Sequence, residues 1–228
     1  MRESKGTGKR GCGMKPNGPS APTNCQFDSR VLALDMTMGA SRNSSGWRGR
    51  PTRWSGCWRS PGPTSIEPAV LASGRPLVLD ADALNLLAAS PCLLPQAILT
   101  PHPGEAARLL ACEKGAVQAD RFAAAEALAQ KFQCTVVLKG AGTIVAAPGE
   151  VPAVIGAGNP GMATGGMGDV LSGVIGALVA QGLPLFQAAV AGALLHSAAG
   201  DAAARVGGER GLLPSDLFPH LRRMANPG

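Results

Sequence analysis

From about residue 67 onward, apolar positions fall into two kinds of run that alternate along the chain. Leu77-Val78-Leu79, Ala97-Ile98-Leu99 and Thr135-Val136-Val137-Leu138 are short, continuous and bounded by turn formers, the pattern of strands buried on both faces. Between and after them, apolar residues recur at helical spacing. Residues 69–74 read as the end of a helix closed by glycine, and residues 118–132 as an amphipathic helix with Phe122, Leu128, Ala129 and Phe132 on one face. Ile144-Val145-Ala146-Ala147 follows a glycine turn as a further strand. Val170, Leu171, Val174, Ile175 and Leu178 form the core face of another helix, in which Gly173 and Gly176 leave room for a close neighbour. Gly182 ends it, and Pro184 starts an alanine-rich helix over about 185–205. Pro214-Ser215-Asp216 opens a last short helix containing Leu217, Phe218 and Leu221, with Ser215 as its cap. Strands alternating with helices predict βαβ units, an α/β fold, and ligands beyond the carboxyl ends of a parallel sheet.

Residues 1–66 break this pattern and change the reading of the charge. The 228-residue chain has a formal net charge of +6, yet residues 1–66 hold 11 Lys and Arg against 3 Asp and Glu, while residues 67–228 come to −2. All three Trp and half of the Cys lie in the first segment. Residues 1–30, rich in Gly, Pro, Ser and Lys, predict disorder, and Val31-Leu32-Ala33-Leu34-Asp35 reads as one short strand. In residues 47–63, Trp and Arg interleave with turn formers and bury no face. A nucleic-acid-binding arm has that composition, with Arg on phosphates and Trp stacked on bases. So does GC-rich coding sequence read out of frame, which is the preferred reading for residues up to about Ser65; a nucleic-acid partner is not expected. The division predicted is a basic, unmatched, disordered segment over 1–66 and a folded domain over 67–228. No run is apolar enough to span a bilayer and the basic start lacks the apolar stretch of a secretory signal, so the expected setting is cytoplasmic. Six Cys without a Cys-x-x-Cys pair predict free thiols, neither a disulfide framework nor a zinc site.

Candidate chemistry gathers where strands end. Gly158-Asn159-Pro160-Gly161-Met162-Ala163-Thr164-Gly165-Gly166-Met167-Gly168-Asp169 reads as a glycine-rich loop opening a helix. Glycines let backbone N–H groups converge and the helix start adds partial positive charge, so the junction suits a phosphate. Asp169 beside a bound phosphoryl group suits a general base toward a hydroxyl; otherwise it is a carboxylate favouring the helix dipole. Asp80, Asp82 and Asn85 fall at the strand edge, with Asp82 a candidate helix cap. In Thr100-Pro101-His102-Pro103-Gly104-Glu105, two prolines hold His102 extended and rigid. Glu105 starts the helix carrying Leu109 and Leu110, either as a surface charge or to order a metal-bound or phosphate-bound water. Lys139-Gly140-Ala141-Gly142-Thr143 suits a nucleotide phosphate or ribose, with a plain hairpin and solvated lysine as the alternative. His196 reads as a packed helix histidine.

Those stretches around Asp80, His102, Lys139 and Asp169 resemble, in residues and order, the ADP/ATP-dependent NAD(P)H-hydrate dehydratases. The resemblance covers about residues 67–228. It implies a three-layer α/β/α ribokinase-like sandwich, here without the N-terminal strands, helices and Gly-Pro-Gly loop that precede the aspartate-rich strand in that family. It implies repair of hydrated NADH and NADPH, with ADP or ATP activating the hydrate hydroxyl for elimination and Mg²⁺ bridging the nucleotide phosphates; no direct protein ligand to the metal is assigned. His102 and Asp169 are placed at the hydrated nicotinamide, and Lys139, Gly140, Ala141, Gly142, Thr143 and Gly168 at the adenine nucleotide. Asp82, Asn85, Glu105, Asn159, Thr164, Gly165 and Gly166 are candidates to support the site or meet phosphate and Mg²⁺. Implied partners are an NAD(P)H-hydrate epimerase, fused or separate, and further copies of the chain. Two other readings stay open. One is a vitamin or sugar kinase of the same fold, although such kinases usually carry Asn where His102 stands and lack the Asn-Pro-Gly-Met run. The other is a nucleotide-binding fragment without turnover.

Overall fold

The computed structural model describes the backbone of Leu32–Leu34 and residues 65–226. The expectations for residues 1–31 and 35–64, the Trp- and Arg-rich stretch included, lie outside the described residues. Six strands lie side by side in sequence order: β1 (Leu32–Leu34), β2 (Leu77–Leu79), β3 (Ala97–Leu99), β4 (Thr135–Leu138), β5 (Thr143–Ala146) and β6 (Ala153–Ile155). β1 to β4 run parallel, and β5 and β6 are added antiparallel. The helices are α1 (Pro68–Leu71), α2 (Ala81–Ala89), α3 (Pro103–Leu110), α4 (Lys114–Ala119), α5 (Arg121–Phe132), α6 (Met167–Ala180), α7 (Leu185–Gly207) and α8 (Phe218–Ala225).

Strand alternation sorts the helices into layers. Leu77, Leu79, Leu99, Val136 and Leu138 face α2 to α5, whereas Val78, Ile98, Val137 and Val145 face α6 and α7. Both strand faces are therefore covered, which is why β2 to β4 read as continuous apolar runs. The short strand expected around residue 33 is β1, paired to β2. Ile66, 5% exposed, packs into the core on the α2–α5 side, although the predicted boundary leaves it outside the domain. No helix among the described residues is long and apolar enough to cross a membrane. Cys92, Cys112 and Cys134 are free thiols.

Several local expectations are corrected. The helix read over 118–132 is two helices: the Asp120 carboxylate accepts the Ala123 N–H at 2.9 Å and starts α5 afresh. Leu128, Ala129 and Phe132 pack inward, but Phe122 turns outward and is half exposed. Asp80, not Asp82, caps α2, and Asp216, not Ser215, accepts the Leu213 N–H at 2.9 Å ahead of α8. Phe218 faces outward. Gly173 is exposed with open space around it; the close approach between α6 and α7 is made by Gly192, where a Cβ would lie 2.6 Å from Ile175 Cγ1. β6 has only three residues, with Val154 exposed, too short for alternation to register in the sequence.

Candidate active site

Asp80, Lys139 and Gly168 meet where β2 and β4 end and α6 begins. At the end of β2 the chain turns into α2, and Asp80 Oδ1 accepts the Ala81 N–H at 2.9 Å. Ala81 takes φ +47°, a left-handed conformation rarely adopted by a residue with a Cβ, so strain is held at this strand end. The same Oδ1 accepts Lys139 Nζ at 2.7 Å, and Oδ2 accepts Ser172 Oγ of α6 at 3.4 Å. Asp80 is 5% exposed, so these donors offset the cost of burying its charge. A Cβ at Gly168 would lie 2.9 Å from Asp80 Oδ2 and 3.5 Å from Lys139 Nζ. Glycine at 168 is what lets the first turn of α6 rest on the ion pair.

β3 delivers the other side. Thr100, fully buried, donates its hydroxyl to the Leu79 carbonyl at 3.2 Å and ties the ends of β2 and β3 together. His102 caps α3 with extended backbone, φ −80° and ψ 166°, as its flanking prolines require. Its Nδ1 accepts the Gly104 N–H at 2.9 Å, which assigns the ring proton to Nε2, 3.4 Å from Glu105 Oε1. Glu105 Oε2 accepts the His102 N–H at 2.7 Å and lies 3.9 Å from Lys139 Nζ. Lys139, partly buried, thus stands between two buried carboxylates and is ion-paired with Asp80. The His102 side chain is half exposed.

The glycine-rich loop is stapled to α7. Asp201, a residue the sequence reading missed, accepts the Gly158 N–H and Asn159 Nδ2, both at 2.9 Å, while Asn159 Oδ1 accepts the Gly161 N–H at 3.1 Å. Side chains at Gly161 and Gly200 would overlap the Glu209 carbonyl and the Met162 thioether. Asn159 therefore has both side-chain groups engaged in loop structure. Thr164 and Gly165 are exposed in the following turn, and Gly166, at φ +90°, starts α6 with no side-chain cap. Asp169 lies exposed in that first turn and makes no hydrogen bond or ion pair with a described residue. Asp82 and Asn85 lie apart from this cluster: Asn85 donates to Asp82 at 3.3 Å and accepts Arg108 Nη1 at 2.6 Å, linking α2 to α3.

His196 packs on α7 as expected, 8% exposed, with Nε2 unpartnered among the described residues. Burial lowers its pKa to about 4; a hydrogen bond to the Met167 backbone opposes this, and the Lys139 charge adds to it. Among the described residues no three His, Cys, Asp or Glu side chains are placed to hold a metal ion. Depressions of about 440 and 340 Å³ flank α8, lined by residues such as Arg222 and His220. They lie away from the strand ends, where the buried charges, the strained turn and the uncapped helix start converge. Chemically, this edge offers donors for an anion at the start of α6, a carboxylate at Asp169 that is unpaired among the described residues and can take a proton, and a half-exposed imidazole.

The family model described as NAD(P)H-hydrate dehydratase matches residues 58–223. The chain is 59% identical over 158 residues to the bifunctional NAD(P)H-hydrate repair enzyme Nnr of Coxiella burnetii, covering 69% of this chain and 32% of that protein. It is 49% identical over 161 residues to the ADP-dependent (S)-NAD(P)H-hydrate dehydratase of Neisseria meningitidis, covering 67% of this chain and 54% of the relative. The solved ADP/ATP-dependent NAD(P)H-hydrate dehydratase of Bacillus subtilis, co-crystallised with ATP/Mg²⁺, superposes with a TM-score of 0.62 at 31% identity, covering 68% of this chain and 56% of that one. The matched region thus spans about a third of the bifunctional relative and about half of the dehydratase. The α/β sandwich is ribokinase-like, as in its structural neighbours. With these matches in family, order of motifs and fold, the chain belongs to the NAD(P)H-hydrate dehydratase family.

Proposed function

We propose that this chain dehydrates the S form of hydrated NADH and NADPH, returning the dihydronicotinamide, with ADP or ATP as co-substrate. One observation carries the reading: Gly168 rests on the Asp80–Lys139 pair, which sets the uncapped first turn of α6, with Asp169 unpaired among the described residues, at the carboxyl ends of the strands. The terminal phosphoryl group of the nucleotide passes to the hydrate hydroxyl as its bond to the bridging oxygen breaks, releasing the shorter nucleotide. Phosphate then leaves with the electron pair of the C–O bond while the adjacent ring carbon gives up a proton to solvent, which restores the ring double bond. Asp169 accepts the proton of that hydroxyl, and the backbone N–H groups at the start of α6 stabilise the negative charge that develops beside it. His102, whose Nε2 carries a proton at the same edge, donates toward the hydrated nicotinamide. Lys139, Gly140, Ala141, Gly142 and Thr143 receive the nucleotide with Gly168, chiefly through backbone N–H groups, because the Lys139 ammonium is already paired.

The carboxylates of Asp80 and Glu105 are engaged with Lys139 and the His102 backbone, so they do not form a direct cage for Mg²⁺. Mg²⁺ would arrive on the nucleotide phosphates and offset their charge there. The reading places residues 67–228 as the dehydratase-like part of the chain, in a cytoplasmic setting, with an NAD(P)H-hydrate epimerase as the partner that interconverts the two hydrates. Incubation of the 228-residue protein with Mg²⁺, ADP or ATP and the S hydrate of NADPH tests it, following recovery of dihydronicotinamide absorbance. Recovery with no phosphorylation of pyridoxal or hydroxymethylpyrimidine is the expected result. Phosphorylation of either alcohol without hydrate loss assigns a kinase, and AMP binding with the hydrate untouched assigns a non-catalytic nucleotide binder.

A further inference from the structure

In the turn between β4 and β5 the carbonyls are taken by side-chain donors while three N–H groups have no acceptor among the described residues, and we infer that Arg121 is the positioning residue that makes it so. The inference rests on the nucleotide-binding reading of this turn. Arg121, the first residue of α5, reaches beneath the turn: Nη2 donates to the Leu138 carbonyl at 3.2 Å and the Lys139 carbonyl at 3.4 Å, and Nη1 donates to the Ala141 carbonyl. Thr143 Oγ1 donates to the intervening carbonyl of Gly140 at 3.1 Å. Each carbonyl from Leu138 to Ala141 therefore accepts a side-chain hydrogen bond. The N–H groups of Gly140, Ala141 and Gly142 donate to no described residue. Gly140 at φ +148° and Gly142 at φ +65° supply the backbone that such a turn needs, and a Cβ at Gly140 would lie 2.9 Å from Arg121 Nη2.

Successive free N–H groups on a glycine turn form a concavity for an anion, and a guanidinium fixed behind them adds positive potential without touching the ligand. The Lys139 ammonium is held by Asp80 at 2.7 Å, so the charge that favours an anion at the turn comes from Arg121. A lysine at 121 could not span these carbonyls, because a single ammonium lacks the planar fork. The ligand group served is the phosphate of the adenine nucleotide, not its base.

Calorimetric titration of the full chain with AMP and with adenosine tests this, comparing wild type, R121Q and R121K. The expected result is a loss of about 10-fold or more in AMP affinity for R121Q, with adenosine changed less than about 2-fold and an intermediate loss for R121K. Unchanged AMP affinity, or equal losses for AMP and adenosine, overturns the role of Arg121. Should R121Q fail to fold, R121K decides by the same ratio of AMP loss to adenosine loss. Wild-type protein that binds neither ligand defeats the nucleotide reading itself, and this inference with it.

Discussion

Asp169, exposed and without a partner among the described residues, and His196, 8% exposed, show how burial sets what a titratable side chain can do. Asp169 makes no bond to a described residue, so Asp169→Asn removes proton acceptance and little else. Turnover of the hydrate is expected to fall about 100-fold or more while AMP affinity and the melting midpoint hold; a variant with near-normal turnover removes Asp169 from the mechanism. His196 has a folded pKa near 4, depressed from 6.5 by burial. The unfolded chain therefore binds a proton near pH 6.5 that the folded chain refuses. The stabilisation is full above pH 6.5 and is lost as pH falls toward 4, on the order of 3 kcal/mol across that window. Urea titrations at pH 7 and pH 4.5 should show a larger loss for wild type than for His196→Leu, and parallel losses would refute the assignment. The placement of Asp169 at a helix start and of His102 and Lys139 beyond strand ends was legible in the sequence because glycine, proline and strand ends mark it. Asp201 was not, since nothing around residue 201 marks a helical aspartate as the partner of a loop 42 positions away.

At the scale of elements, the contact between α6 and α7 separates local propensity from packing. Sequence spacing points to Gly173 and Gly176 as the close approach; Gly176 is buried, but a Cβ at Gly173 meets open space, while one at Gly192 would press on Ile175 at 2.6 Å. Gly173→Ala is expected to stabilise by about 0.5–1 kcal/mol through helix propensity. Gly192→Ala is expected to destabilise by about 1–3 kcal/mol through overpacking. Chemical denaturation of the pair checks both signs, and a stabilising Gly192→Ala would show that the helices have slack. The strands β2 to β4 and helix α7 were readable because their patterns persist over their whole length. The break at Asp120 and the cap at Asp80 were not, because a cap is set by where the preceding segment leaves its last hydrogen bond. Periodicity does not record that.

For the whole molecule, the core on the α2–α5 side is closed enough to silence a thiol. Cys134, at the start of β4, is 2% exposed, and burial raises its pKa to about 12, whereas Cys112 is exposed. Under native conditions a thiol-directed reagent should modify Cys112 at once and Cys134 only at the rate at which this core opens. Peptide mass spectrometry against time and denaturant reads the two sites separately. Equal labelling rates would mean that the core between the sheet and α5 is not the closed layer described. The sheet that α5 covers also carries Asp80 and Lys139 at its carboxyl edge, so the rigidity protecting the thiol also holds the candidate site.

Sequence alone determined the class of the fold and the places where chemistry is concentrated. Alternating strands and helices, the prolines around His102 and the glycines before Asp169 act within a few residues, and local sterics and periodicity carry that information. Tertiary structure decided what those residues do to one another. Lys139 is neutralised by Asp80 across 59 positions, Ser172 reaches Asp80 across 92, and Arg121 gathers carbonyls up to 20 positions away. No local pattern encodes such pairings, because they depend on β2, β4 and the start of α6 arriving at one point once both faces of the sheet are buried.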